Sequence, residues 1–128
     1  MVRAAFKLFS AERIVLVSDS LSATGMPDGK YRSGGCEIEV KQGIAYLLNS
    51  NTLAGSVTNL YDCMLKAISY GIKKEDAIRA ATINPAKVIN CDNIVGSISI
   101  GKSADFIICD QELKIKEVYI EGVKVSDD

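Results

Sequence analysis

The stretch Ile14-Val15-Leu16-Val17-Ser18-Asp19-Ser20 decides how the chain is read. Its first four residues are apolar on successive positions, so a strand made of them buries both faces, the mark of a parallel sheet covered by helices. Such a strand expects parallel neighbours on either side. Before it stands one helical pattern, Val2, Ala5, Phe6 and Phe9, separated from it by Ser10-Ala11-Glu12-Arg13. The order is therefore helix, short loop, doubly buried strand, with further strands expected upstream. Asp19 follows at the carboxyl edge, where barrel and doubly wound enzymes place catalytic groups. On spacing alone, Ser18, Asp19 and Ser20 read first as residues that end a strand and satisfy loop amides.

Ser18 to Gly35 is rich in Ser, Gly, Asp and Thr and contains the turn signal Met26-Pro27-Asp28-Gly29, which predicts a long irregular loop. Ile38 and Val40, then Ile44, Tyr46 and Leu48, alternate about Lys41-Gln42-Gly43 and predict a β-hairpin at a sheet edge. Ser56 is placed to cap a helix from Val57 to Tyr70, with Gly71 as its left-handed stop. A second helix is expected over Glu75 to Thr82. Asn84 then caps a short one through Val88, with Pro85 at its first position. Strands are expected at Val95 to Ile100, Asp105 to Cys109, Ile115 to Tyr119, and Val123 to Val125.

Composition excludes several function classes. The 128 residues contain no histidine, which removes the Ser-His-Asp triad, the Cys-His dyad, histidine-ligated zinc and an imidazole base. Fifteen basic and sixteen acidic side chains give a net charge of -1, with no basic stripe to drive nucleic-acid binding, so no nucleic-acid partner is expected. The longest apolar run, Ile44 to Leu48, is far too short to cross a bilayer. Neither a membrane span nor a signal peptide is expected. Cys36, Cys63, Cys91 and Cys109 form no CxxC pair, which favours free thiols in a reducing cytoplasm over a four-thiolate zinc site.

Motif matches are few. Gly25-Met26-Pro27-Asp28-Gly29-Lys30 has the wrong glycine spacing for a phosphate loop, and Tyr31 stands where Ser or Thr is required. Ser99-Ile100-Gly101-Lys102 fits S-x-x-K, but Gly101 argues for a turn rather than a catalytic helix. Asp110, Glu112, Glu117, Glu121, Asp127 and Asp128 show no paired arrangement and read as a solvated acidic face.

Three strings together resemble the N-acetylglucosamine-6-phosphate deacetylase family of amidohydrolases. They are Leu16-Val17-Ser18-Asp19-Ser20 with Gly25 to Tyr31 and Gly34-Gly35; Leu53-Ala54-Gly55-Ser56; and Ala81-Thr82-Ile83-Asn84-Pro85-Ala86 with Gly96-Ser97-Ile98, Gly101-Lys102 and Ala104-Asp105-Phe106. The third pattern is similar to amidohydrolases generally, whereas the first two point to the deacetylases. A complete barrel takes about 250 residues. The resemblance therefore implies an α/β chain that is the C-terminal fragment of a metal-dependent hydrolase-type (β/α)8 barrel plus part of the flanking small β domain. In that expectation residues 1-35 are the last barrel helix, strand and active-site loop, 36-50 a β-hairpin, 51-92 closing helices, and 93-128 β segments of the small domain.

The resemblance also implies roles. Asp19 matches the family's catalytic aspartate, which takes a proton from water and delivers it to the departing amine while a divalent metal, zinc or iron, polarises the amide carbonyl. Leu53 matches a substrate-binding position near the acetyl group, and is equally a packing residue before the Gly55 turn. The family's metal ligands and its phosphate-holding histidine and arginine have no counterpart here, so no metal is expected in this chain and the isolated chain is expected to be inactive. The amino-sugar phosphate would be a substrate of the longer cytoplasmic enzyme. Unpaired edges at Ile14 to Val17 predict a homo-oligomer. Two alternatives remain at this point: a catalytically silent scaffold of the same origin, and another amidohydrolase.

Overall fold

A computed structural model describes residues 1–48, 50 and 52–126. Asp127 and Asp128 of the expected acidic face lie outside the described residues. Helix α1 spans Val2–Phe9, as its periodicity predicts. Ser10, at φ 62°, breaks it, and one 3₁₀ turn follows at Ala11–Arg13. The expected doubly buried strand is corrected. Ile14 to Val17 carries no ladder, and the backbone is tied by Leu16 N–H donating to Ala80 O at 2.9 Å and by a single parallel bridge between Ser20 and Ser56. The described residues bring no second strand alongside it, so Val17 is left 74% exposed.

The loop expected from Ser18 to Gly35 is corrected in its second half, where Gly29–Ser33 forms strand β1. It pairs antiparallel with β2, Cys36–Lys41, which pairs with β3, Ile44–Leu47. The strand hides in that composition because Gly34 and Gly35, at φ 57° and 82°, make a two-residue turn; Gln42 and Gly43, at 52° and 71°, make the next. Both-positive φ is what tight hairpins of right-handed twist require. Register puts Tyr31, Ile38, Val40, Ala45 and Leu47 on one face. This reverses the expected facing of β3. The two-residue turn sets Ala45 opposite Val40, so Ala45 is buried and Ile44 is exposed. Leu21, Ala23, Ala54 and Val57 complete this first core.

Helix α2 runs over Leu60–Ser69, shorter than expected. Its cap is Asn59, whose Oδ1 accepts from Asp62 N–H at 2.9 Å, and not Ser56, whose hydroxyl is engaged elsewhere. The predicted stop is present: Gly71 N–H bonds Ile68 O at 2.8 Å and Ile72 N–H bonds Ala67 O at 3.3 Å, the paired pattern of a Schellman end. Helix α3 covers Lys74–Ala81 behind Lys73, which has no acceptor with which to cap it. Helix α4 is Ile83–Val88, so Asn84 lies inside it and is not its cap. Buried Asn84 instead donates through Nδ2 to Ala11 O and Ile14 O, both at 2.7 Å. Met64, Ala67 and Ala77 form a second core, joined by Val2, Leu16, Tyr61 and Ile72.

No strand forms over Val95 to Ile100, another correction. That segment folds as turns around the Lys102 ammonium, which donates to Asp92 O and Ser97 Oγ. Gly96, at φ 88°, packs so tightly that an added Cβ would sit 2.8 Å from Ala86 Cβ. The second sheet is antiparallel, β4 Phe106–Cys109, β5 Ile115–Ile120 and β6 Val123–Lys124. The Phe106 and Tyr119 rings stack across it, 4.6 Å apart. Two of the expected solvated acids are structural. Asp110 accepts from Glu112 N–H and Lys114 N–H, chiefly the latter, which holds its carboxyl below the usual range. Glu117 pairs with Lys124 at 2.9 Å.

Candidate active site

Asp19 lies on the exposed seam between the two cores. Its φ is 51°, a left-handed conformation in which aspartate is enriched among non-glycine residues, fixed here by its neighbours. Those neighbours are the residues after Leu53. Ser56 N–H donates to Asp19 O at 2.8 Å, Leu21 N–H donates to Ser56 O at 2.9 Å, and Ser56 Oγ donates to Ser18 O at 2.5 Å. Ser20 Oγ donates to Thr58 O, also at 2.5 Å. Gly55 closes the arrangement: at φ 104°, a Cβ there would stand 3.0 Å from Asp19 O and 3.2 Å from Asp19 Oδ2. The carboxylate therefore rests directly against bare backbone.

Of the two residues singled out, Asp19 thus has a built surround. Leu53 sits two residues before Gly55, bridged to Tyr46, with its side chain 66% exposed. So exposed, it does little packing among the described residues. Ser56 and Thr58, missed as site residues in the sequence, were hidden because a serine after glycine at a helix entry reads as a cap. Ser99 O accepts from Lys102 N–H at 3.2 Å, the turn that Gly101 predicts.

The donor set for a metal is poor. The four cysteines are free, and among the described residues no three His, Cys, Asp or Glu side chains gather. Away from Asp19, the Tyr61 hydroxyl donates to Leu113 O at 2.6 Å and lies 3.1 Å from Cys109 Sγ. Desolvation first, then the Cys109 contact, push this phenol up to about 12. It ties α2 to the end of β4 and to Leu113 beyond it.

The sequence matches the Amidohydrolase family over residues 5–125, and the chain belongs to that family, whose members' chemistry suggests a divalent metal in a complete enzyme. More particularly, it is similar to N-acetylglucosamine-6-phosphate deacetylase of Rattus norvegicus, 34% identical over 110 residues, which are 85% of this chain and 27% of that protein. It is also similar to a putative N-acetylgalactosamine-6-phosphate deacetylase of Escherichia coli (strain K12), 33% identical over 90% of this chain and 69% of that protein. The N-acetylglucosamine-6-phosphate deacetylase structure from Thermotoga maritima superposes with TM-score 0.87 at 30% identity, covering 97% of this chain and 34% of that one. A Mycobacterium smegmatis variant in complex with N-acetyl-D-glucosamine-6-phosphate gives 0.86 at 30% identity, over 95% and 33%. The chain spans about a quarter of the length of the rat relative. Its mixed helices and sheets match these structures. Among the described residues no helix is long and apolar enough to cross a membrane.

Proposed function

We propose that these 128 residues supply the Asp19-bearing part of a longer cytoplasmic deacetylase that hydrolyses the acetamide of N-acetylglucosamine 6-phosphate, releasing acetate and glucosamine 6-phosphate. The carrying observation is Asp19 itself. An exposed carboxylate in a left-handed backbone, clamped by hydrogen bonds from a neighbouring segment and pressed against Gly55, is held for use. Similarity to deacetylases at 30–34% identity supports the substrate class. In this reading residues 1-35 end a (β/α)8 barrel, Ile14 to Val17 pairing as its last strand only where strands of the remainder lie beside it, residues 36-50 are a hairpin, 51-92 close the barrel, and 93-128 belong to a flanking β domain.

The Asp19 carboxylate is an acceptor that becomes a donor once protonated. It takes the proton of the water that attacks the acetamide carbonyl and hands it to the departing amine, serving as base and then acid. Leu53 packs against the acetyl methyl. Since no set of donors gathers among the described residues, any divalent metal, zinc or iron, would be held by residues of the remainder of the enzyme.

The test is acetate release from N-acetylglucosamine 6-phosphate, with the galactosamine epimer alongside, by the longer enzyme or by this chain mixed with the remainder. Asp19→Asn is expected to keep the fold and most substrate affinity while lowering turnover by on the order of 10²-fold or more. Near-normal turnover removes Asp19 from the role.

A further inference from the structure

We infer that Ser56 is a positioning residue for Asp19, acting through the backbone rather than through substrate. The inference rests on the deacetylase reading and deepens it. Ser56 bonds to three residues of that segment: its Oγ–H reaches Ser18 O, its N–H reaches Asp19 O, and its carbonyl takes the N–H of Leu21. The two backbone bonds form the parallel bridge around Ser20 and use no side-chain atom. The hydroxyl bond is the third fastening, and without it the bridge is held less firmly. That hydroxyl bond restrains the peptide immediately before Asp19, the one whose rotation sets the φ of 51°.

Geometry shows why one hydroxyl matters. A Cβ at Gly55 would stand only 3.0 Å from Asp19 O and 3.2 Å from Asp19 Oδ2, so there is little room for the carboxylate to recover a lost orientation by moving toward residues 55–56. With Ser18 O released, the peptide turns outward and the carboxylate swings away from a fixed reacting centre. Displacements of about 1 Å at such a centre cost up to roughly 10²-fold in rate. The bond to Ser18 O also explains why Ser56 does not cap α2, a task left to Asn59.

In the longer enzyme, Ser56→Ala is expected to lower kcat by roughly 10- to 100-fold with KM changed less than about threefold. Ser56→Thr, which keeps the hydroxyl, should restore most of the loss. Should Ser56→Ala fail to fold, Ser56→Cys fills the same space with a weak donor and is expected to fall between the two. Equal losses in the alanine and threonine variants mean packing alone and overturn the inference, as does a Ser56→Ala kcat within about twofold of wild type. Hydrogen exchange supplies a readout that needs no turnover: in the 128-residue chain the Leu21 and Ser56 amides should exchange faster in Ser56→Ala, and unchanged protection overturns the inference. Absence of turnover in the wild-type enzyme overturns the deacetylase reading and the inference together. Wild-type turnover with an unaffected Ser56→Ala overturns the inference alone.

Discussion

Removing the Asn84 side chain should cost the fold more than removing a helix cap, and the substitution pattern separates the two roles. Asn84 is 4% exposed, and its amide holds Ala11 O and Ile14 O at 2.7 Å each. Asn84→Ala deletes two bonds worth about 1 kcal/mol net apiece. Ala11 O keeps a long bond from Ile14 N–H at 3.4 Å, whereas Ile14 O has no other partner among the described residues, which adds roughly 1 kcal/mol for an unsatisfied acceptor. The total is about 3 kcal/mol, or a melting temperature lowered by roughly 10 °C in a domain of this size. Asn84→Asp decides the matter. As a cap, aspartate serves as well as asparagine; as a clamp, it loses both donors and faces two carbonyl oxygens with a charge. Urea unfolding followed by circular dichroism should rank wild type above Asn84→Ala above Asn84→Asp at neutral pH. Wild-type stability in Asn84→Asp, with a loss near 1 kcal/mol in Asn84→Ala, would refute the clamp.

Gly96→Ala should lose about 2 kcal/mol or more, because its Cβ meets Ala86 Cβ at 2.8 Å and its φ of 88° disfavours any side chain; the same urea series reads it. Tyr61 gives a pH signature. Its folded-state pKa is raised from the ordinary 10 to about 12, so the unfolded chain releases the proton first, and this stabilisation is complete below about pH 10 and lost as pH rises toward 12. Tyr61→Phe should flatten that part of the stability profile, and an unchanged alkaline slope counts against the assignment. Last, the isolated chain should self-associate through Ile14 to Val17 or the β segments, since Val17 and Leu8 are 74% and 76% exposed. Sedimentation showing a monomer at high concentration, with slow exchange of the Ile14 to Val17 amides, rejects this.

What could be read from the residues follows how local its causes are. The α2 stop at Gly71-Ile72 and the turn at Gln42-Gly43 depend on backbone freedom at one or two positions, and both stand where the sequence puts them. The failures depend on distant partners. Val95 to Ile100 has strand composition, yet the Lys102 ammonium reaches back to Asp92 and Ser97 and curls it. Ile14 to Val17 has the pattern of a central strand, yet a parallel ladder needs neighbours that no local rule supplies. Strand β1 was masked by glycines that turned out to be its turn. Asp19 illustrates the same divide for the site: spacing alone made it a strand terminator, and only its resemblance to a family pattern singled it out. Ser56 carried no signal beyond its capping propensity, because what distinguishes it is the carbonyl of a residue 38 positions earlier.

The two cores have a mechanical consequence. Leu16 packs in the helical core and Leu21 in the sheet core; Val57 belongs to the sheet core and Tyr61 to the helical one. Between Val2 and Ala81 the chain thus passes from one core to the other only at residues 17–20 and 58–60. Those two crossings lie side by side, fastened by the Ser20 Oγ bond to Thr58 O and, at their margin, by Ser56 to Ser18 and Asp19. Adjacent crossings define a hinge line, and points on a hinge line move least when the leaves turn about it. Asp19 lies in the first of these crossings, so any rocking of one half against the other would displace its carboxylate less than groups far from the crossings.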